Sequence, residues 1–327
     1  LSVSCLFEWS WDIMASFILL LLSIIALFFL ITYALFLFVF YVPPRRQKEN
    51  DKIDLPSGKI YEPFHDLMRI WVLEARSTPH TVFSIKSFDG LTLCGTYYEF
   101  ATGAPIELMF HGYRGNAERD LSGGMHRCFQ LGHSAFIVDQ RCSGRSDGNV
   151  ITFGIKEHLD CLSWIDFAVS YFGPDCKLIL TGISMGASTV LMAAGKDMPP
   201  NVVGVLADCG FHSAKDVILS VADGMCLPSK LLYPFVNNGA KIFGNFNLEE
   251  YSPEQALRLC KVPVLFFHGA DDDYVPAYMS RIDYDACTSR KKLIIIPGAG
   301  HGLSYPVAPE LYISEMIDFF HLSDEIN

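Results

Sequence analysis

The sequence contains the hexapeptide Thr181-Gly182-Ile183-Ser184-Met185-Gly186 between an apolar run at residues 177–180 and a helix-favouring segment at residues 187–196. Gly-x-Ser-x-Gly between a strand and a helix is typical of a sharp turn that carries a nucleophilic serine. The two glycines leave room for the helix that follows, because larger side chains there would collide with it. The pattern therefore predicts that the Ser184 hydroxyl projects above a sheet and that the N–H of Met185 points toward a developing oxyanion.

A serine hydroxyl needs a neighbouring base to become a nucleophile at neutral pH. The predicted base is His301, which lies in the glycine-rich stretch Gly298-Ala299-Gly300-His301-Gly302 directly after the last predicted strand. A glycine-rich loop at the C-terminal end of a strand gives a histidine no packing role. His212 also follows a predicted strand, at residues 202–207, and remains the alternative base.

The base in turn needs a carboxylate that holds its tautomer and stabilises the imidazolium. Residues 268–276, His-Gly-Ala-Asp-Asp-Asp-Tyr-Val-Pro, follow the penultimate predicted strand and supply Asp271, Asp272 and Asp273. Their spacing is not that of an EF-hand calcium loop. The residues alone leave the choice among the three acids open.

A second oxyanion donor is expected after the predicted strand at residues 105–110. His111-Gly112-Tyr113-Arg114-Gly115-Asn116 follows that strand, and the N–H of Tyr113 is the predicted donor. Three roles remain open for the phenol of Tyr113, namely lining an acyl pocket, donating a further hydrogen bond, or packing.

Strand and helix patterns alternate along most of the chain. The β-rich segments at residues 81–87 and 91–99 are joined by Asp89-Gly90, which indicates a hairpin. Later strands, such as the one at residues 262–267, are unbroken apolar runs, which indicates that helices cover both faces of the sheet. The sequence therefore predicts an α/β fold with a mostly parallel sheet flanked by helices.

The segment between the predicted strands at residues 202–207 and 262–267 is too long for a simple crossover. It carries several helical patterns, and long insertions often form lids. We expect a small helical cap at about residues 211–258. A surface excursion without a functional role is the alternative.

The N-terminal region has no charged residue from Ile13 to Pro44. About 20 apolar residues suffice to cross a bilayer. A secretory signal would have an apolar region of only about 7–15 residues after a basic leader, whereas this leader carries Glu8 and Asp12. We therefore expect a leader and retained transmembrane anchor at residues 1–44, a linker at 45–59 and the α/β domain at 60–327.

Charge and cysteine usage indicate the surroundings of that domain. Arg45, Arg46 and Lys48 follow the apolar segment, so the positive-inside rule predicts a single-pass membrane protein with a cytoplasmic domain. The ten cysteines form no Cys-x-x-Cys pair, which indicates reduced thiols and no metal centre. The net charge of −11 and the absence of a basic stripe argue against nucleic acid as a partner.

Four motifs together resemble those of the α/β-hydrolase superfamily of serine hydrolases. They are His111-Gly112, Gly182-x-Ser184-x-Gly186, His268-Gly269-x-x-Asp272-x-x-Val275-Pro276 and Gly300-His301-Gly302. The similarity is greater still to the branch with serine aminopeptidase-type domains and the membrane-tethered Bem46-like and bacterial esterase-like proteins. It extends over residues 82–320 and implies a triad in the chain order serine, aspartate, histidine. The acid of the family corresponds to Asp272, with Asp271 and Asp273 as the alternatives. One departure is Cys142, where a turn of the family usually has glycine.

The expected activity is that of a membrane-anchored serine hydrolase that cleaves a carboxylic ester or thioester through an acyl-enzyme. Its substrate would be a small-molecule or lipid-like acyl ester, and no cofactor or metal is implied. Two alternatives are a serine aminopeptidase-type peptidase and a non-catalytic scaffold on the same fold.

Overall fold

Eight strands form one sheet in the computed structural model, which describes residues 3–43 and 52–320, with side chains from Trp11 onward except that of residue 12. The spatial order is β1-β2-β4-β3-β5-β6-β7-β8. The first two neighbouring pairs are antiparallel and the others are parallel. The strands are β1 Thr81–Lys86, β2 Thr92–Tyr98, β3 Ile106–Phe110, β4 Ser134–Asp139, β5 Leu178–Ile183, β6 Val202–Asp208, β7 Val264–Gly269 and β8 Lys291–Ile296.

Helices cover both faces of this sheet, as the unbroken apolar strands predict. All residues of β3, β4 and β7 are buried, which is the pattern of strands packed on two sides. The predicted α/β architecture, a mostly parallel sheet flanked by helices, is thereby confirmed. The α-helices are α1 Val3–Val39, α2 His65–Ser77, α3 Ala117–Gln130, α4 Glu157–Phe172, α5 Met185–Ala194, α6 Ala214–Gly224, α7 Ser229–Phe243, α8 Pro253–Leu257, α9 Tyr278–Ala286, α10 Ser304–Val307 and α11 Pro309–Phe320.

One charged group lies in the middle of the sheet. Glu107 on β3 is fully buried, forms an ion pair with Arg127 of α3 and lies within hydrogen-bond distance of His133 Nδ1, at 3.0 Å. Thr181 of β5 donates to the same carboxylate over 3.0 Å. Burial alone would raise the pKa of Glu107, but the nearby Arg127 and His133 outweigh that effect and lower it to about 2. The carboxylate therefore links β3, β5 and α3 beneath the loops that carry the candidate site.

Three helices, α6 to α8, fill the interval between β6 and β7, where the sequence predicts a helical cap. α7 is one continuous helix although it contains Pro234. Its Tyr233, Val236 and Ala240 are buried, so packing on one face supports the helix across the proline.

The first helix, α1, includes an apolar stretch, Ile13–Val39, which is long enough to cross a membrane. Its 27 residues extend over about 40 Å at ~1.5 Å per residue. Side chains 13–27 are exposed, whereas Thr32, Phe36 and Phe40 are buried against the domain. α1 is therefore a candidate transmembrane span whose C-terminal third is part of the folded core.

The end of α1 is tied to the domain by backbone hydrogen bonds. The N–H of Val42 donates to the carbonyl of Asn149 over 2.8 Å, and the N–H of Ile151 donates to that of Phe40 over 2.9 Å. The first half of the predicted linker, residues 45–51, lies outside the described residues, as do the basic residues on which the predicted orientation depends.

Candidate active site

Ser184 lies between β5 and α5 in a strained backbone conformation, with φ 56° and ψ −122°. Positive φ is unfavourable for a residue with a Cβ atom. The turn is tight, since a Cβ at Gly182 would lie 2.2 Å from the carbonyl oxygen of Gly186, and one at Gly186 would lie 2.0 Å from that of Phe110. The Ser184 N–H donates to the Asp208 carbonyl over 2.8 Å. The neighbouring strands therefore hold the serine in place, as the glycine spacing predicts.

Three polar side chains from separate loops meet at this turn. Nε2 of His301 lies 2.9 Å from Oγ of Ser184, and Nδ1 of His301 lies 2.7 Å from Oδ2 of Asp272. We call Ser184, His301 and Asp272 the triad. Their loops follow β5, β8 and β7, whose carboxyl ends meet at the same edge of the parallel sheet.

The Asp272 carboxylate is oriented by its own loop. Its Oδ1 accepts hydrogen bonds from the N–H groups of Tyr274 and Val275, over 3.0 and 2.8 Å. Burial alone would raise the pKa of Asp272, but hydrogen bonds with His268 and His301 outweigh it and lower the pKa to about 2. The group is therefore a carboxylate near neutral pH. The other two acids of the loop, Asp271 and Asp273, are exposed.

His268 also contacts the Asp272 carboxylate, a role that the sequence did not predict. Its side chain is fully buried, with Nδ1 2.6 Å from Oγ of Ser280. Nε2 lies 2.7 Å from the Val275 carbonyl oxygen and 3.3 Å from Oδ2 of Asp272. The recurring His-Gly dipeptide at the end of β7 is the sequence signal for it. The alternative base, His212, instead bonds Asp216 of α6 over 2.7 Å.

Residues 111–116, the oxyanion loop, lie directly beside the serine. A Cβ at Gly112 would be 3.4 Å from Cβ of Ser184 and 3.8 Å from its Oγ. Within the described ranges, no group accepts a hydrogen bond from the N–H of Tyr113. The N–H of Met185 belongs to the first turn of α5, where backbone donors have no partner within the helix. Both N–H groups remain the predicted oxyanion donors.

Two cavities meet at Ser184. The larger, about 560 Å³, extends toward α3 and includes polar side chains such as Arg119 and Asp120; we call it the polar cavity. The smaller, about 200 Å³, lies between α1, α6 and α7 and is lined almost entirely by apolar side chains; we call it the apolar cavity. Ser184 and Tyr113 contribute to both.

Comparison with known proteins agrees with this architecture. None of the protein-family profiles matches the chain. It is 28% identical over 250 residues to the uncharacterised protein YqkD of Bacillus subtilis, which covers 75% of this chain and 81% of YqkD. It is 26% identical over 192 residues to the protein bem46 of Schizosaccharomyces pombe, 58% of each chain. A crystal structure of a Pyrococcus furiosus esterase superposes with a TM-score of 0.65 at 18% identity, covering 86% of this chain and 97% of the esterase.

The chain has the α/β-hydrolase fold, as the sequence predicts, and its sequence is similar to that of bem46. The structural similarity establishes the fold, and the sequence similarity to bem46 agrees with the narrower resemblance that the motifs indicate.

Cys142, where the resemblance implies glycine, lies in the turn that follows β4. Cys142 has φ 67°, a conformation that favours glycine, and its N–H donates to the Asp147 carbonyl over 2.9 Å. The Asp139 carboxylate accepts from the N–H groups of Ala117 and Arg145, over 3.0 and 3.1 Å. The turn is therefore structural, and cysteine adopts the conformation at a cost of about 1–2 kcal/mol.

Among the described residues, the possible metal ligands that cluster are Cys209, Asp272 and His301, with ligand atoms within 4.8 Å of one another. The His301 and Asp272 atoms already share a hydrogen bond. Burial also raises the pKa of the Cys209 thiol well above its usual value, and a protonated thiol is a poor ligand. A metal here would have to displace the hydrogen bond of the triad.

Proposed function

We propose that the chain hydrolyses a carboxylic ester or thioester through an acyl-enzyme on Ser184. The observation that carries the proposal is the continuous hydrogen-bond path from Ser184 Oγ through the His301 ring to the Asp272 carboxylate. That path joins a nucleophile, a base and an orienting acid in the arrangement that acyl transfer requires.

In the first half of the reaction, Ser184 Oγ attacks the carbonyl carbon as its proton passes to Nε2 of His301. The N–H groups of Tyr113 and Met185 donate to the oxyanion of the tetrahedral intermediate. The bond from the acyl carbon to the leaving oxygen or sulfur then breaks, and the leaving group takes the proton from Nε2. An acyl ester of Ser184 and a free alcohol or thiol result.

In the second half, water attacks the acyl-enzyme while His301 accepts its proton. The intermediate collapses, the carboxylic acid leaves, and the proton returns to Ser184 Oγ. Asp272 keeps Nδ1 of His301 as a donor throughout and stabilises the imidazolium. The depressed pKa of Asp272 supports this role, because the carboxylate holds its charge at neutral pH.

Ester substrates are favoured over peptides by the surroundings of the site. A peptidase of the aminopeptidase type needs an acid that binds a free α-amino group. Asp120, which lines the polar cavity, is paired with Arg119 over 2.7 Å. Glu249 lines neither cavity and contacts Lys215 and Tyr233 over 3.3 and 3.1 Å. The superposed Pyrococcus protein is itself described as an esterase.

The proposal includes α1 as a retained membrane anchor, with the α/β domain at residues 60–327. The burial of Phe40 and the backbone bonds of Val42 and Ile151 support retention, since cleavage of a signal would remove core contacts. A cytoplasmic orientation of the domain follows from the charges at residues 45–48 alone and stays a prediction.

Labelling by a fluorophosphonate probe tests the proposal on the full-length chain in detergent. We expect labelling of the wild type and of Ser314→Ala, which removes an exposed serine, and no labelling of Ser184→Ala. Hydrolysis of nitrophenyl esters without cleavage of aminoacyl-coumarins would separate an esterase from a peptidase. A folded wild type that takes no label would contradict the proposal and favour the scaffold alternative.

A further inference from the structure

α1 forms one wall of the apolar cavity that begins at Ser184. Leu35, Phe38 and Val39 of α1 face this cavity, and Val217 and Val236 of α6 and α7 contribute to the opposite side. A helix that served only to locate the domain at a membrane would have no need to contact the cavity beside the nucleophile.

Hydrogen bonds connect the end of α1 to the oxyanion loop. The Tyr113 hydroxyl donates to the Val39 carbonyl over 2.6 Å, and Arg114 Nη2 donates to those of Phe38 and Tyr41 over 2.7 and 3.2 Å. The last carbonyls of a helix lack partners within the helix and carry partial negative charge, so an arginine there is favourable. The loop that is predicted to hold the oxyanion therefore depends on α1 for its side-chain partners.

Close packing with α7 fixes the lateral position of α1. A Cβ at Gly239 would lie 3.0 Å from the Thr32 carbonyl oxygen. The rings of Phe28 and Phe235 are 5.4 Å apart, and those of Tyr33 and Phe243 are 5.0 Å apart. These contacts therefore hold α1, which forms one wall of the cavity, in a fixed position against α7.

The length of α1 places this wall at the membrane surface. About 20 residues cross the hydrocarbon core of a bilayer, so a span that begins at Ile13 ends near Thr32, within the part of α1 that packs against α7. Leu35 and Val39 follow within about 5–10 Å along the axis at ~1.5 Å per residue. The apolar cavity then lies just above the acyl chains of the adjacent leaflet.

On these observations, and on the proposed function, we propose that the apolar cavity binds the acyl chain of a long-chain ester taken from the bilayer. The chain passes between α1 and the helices α6 and α7, with its carbonyl at Ser184. The alcohol portion occupies the polar cavity on the other side of the serine, where Arg119 and Asp120 lie. α1 is therefore a specificity element as well as an anchor.

Acyl-chain selectivity tests this inference on the full-length chain in phosphatidylcholine vesicles. The substrates are the nitrophenyl esters of acetate, octanoate and dodecanoate. For the wild type, kcat/KM referred to the ester dissolved in water should rise about three- to fourfold for each methylene that becomes buried, until the cavity is filled. Partition of the esters into the vesicles is the same for every variant, so the comparison of variants with the wild type isolates the contribution of the cavity.

Two variants alter the cavity from different sides. Ala222→Phe places a ring in the space lined by α6, and Gly239→Leu pushes α1 away from α7. Each should lower the ratio of dodecanoate to acetate kcat/KM at least tenfold. The control Leu231→Phe changes an exposed position of α7 outside the cavity and should leave the ratio as in the wild type.

The outcomes separate this inference from the proposed function. If hydrolysis depends on Ser184 but the chain-length ratio is flat or unaffected by both variants, the acyl-chain site is wrong and the esterase proposal stands. If Ser184 takes no label and no ester is cleaved, the esterase proposal itself fails, and the acyl-chain site fails with it.

Discussion

The two sides of Ser184 are built in different ways. On one side, the triad comes from loops at the sheet edge, and hydrogen bonds of 2.7 and 2.9 Å connect its three side chains. On the other side, the apolar cavity comes from α1 and the cap segment and is bounded by hydrocarbon. Proton transfer requires atoms at fixed distances, whereas an acyl chain requires only apolar volume, which many side-chain combinations can supply.

The polar side should be the more sensitive of the two to a single atom. Asp272→Asn keeps the shape of the site but presents an amide to Nδ1 of His301 and favours the wrong tautomer. We expect kcat for nitrophenyl acetate to fall by about 10⁴-fold, as in other triads.

The matched controls are Asp271→Asn and Asp273→Asn, whose side chains are exposed in the same loop. Each should retain kcat within a few-fold of the wild type. A large loss in either control, with little loss in Asp272→Asn, would transfer the role of the acid to that neighbour.

The buried Glu107–Arg127 ion pair beneath the triad loops should also be sensitive to the loss of one charge. Arg127→Met leaves the Glu107 carboxylate buried without its main partner, and removal of one member of a buried pair costs about 3–5 kcal/mol. The measurement is the free energy of unfolding from urea titration. Arg258→Met is the control, because it breaks an exposed pair with Glu254 and should cost no more than about 1 kcal/mol.

The pH dependence of this effect has a defined sign. The pKa of Glu107 is lowered from 4.5 to about 2, so the carboxylate stabilises the wild type above pH 4.5, and that stability is lost as the pH falls toward 2. In Arg127→Met, the decrease in the free energy of unfolding between pH 4.5 and about 2 should be smaller than in the wild type or should change sign. An unchanged acid profile would show that Arg127 is not the partner that lowers the pKa of Glu107.

The apolar side should respond more weakly to the loss of one polar contact. Tyr113→Phe removes the hydrogen bond to the Val39 carbonyl and keeps the N–H of residue 113. A net hydrogen bond contributes about 0.5–1.5 kcal/mol, so we expect a two- to tenfold fall in kcat/KM for dodecanoate ester. Tyr171→Phe, at an exposed tyrosine of α4, is the control and should have no effect. Equal behaviour of the two variants would mean that this bond does not couple α1 to the oxyanion loop.

The fold could be predicted from the sequence because each strand, turn and hairpin is indicated by a pattern of a few neighbouring residues. The glycines around Ser184, the hairpin at Asp89-Gly90 and the unbroken apolar strands each report a backbone requirement within a few residues. Local patterns did not predict α9, a short helix whose buried face includes both the apolar Met279 and the acidic Asp283. A local pattern also does not show that α7 is one continuous helix, because its continuity depends on packing of the buried face.

The site depended on both levels. Motifs nominated Ser184 and His301, but three adjacent aspartates had the same local chemistry. The family resemblance favoured Asp272, and the folded loop gives the physical reason, because the N–H groups of Tyr274 and Val275 bind its carboxylate beside His301. The roles of the triad and of the oxyanion donors remain predictions that the geometry supports.

By itself, the sequence determined the α/β-hydrolase fold, the apolar helix near the N-terminus and the residue types available for acyl transfer, since glycine turns, strand periodicity and polar motifs act over short distances. The tertiary structure alone decided that α1 continues into the domain, contacts residues 111–116 and bounds a cavity at Ser184. Those contacts join segments distant in sequence through general apolar packing, and no local pattern specifies which apolar surface will meet which.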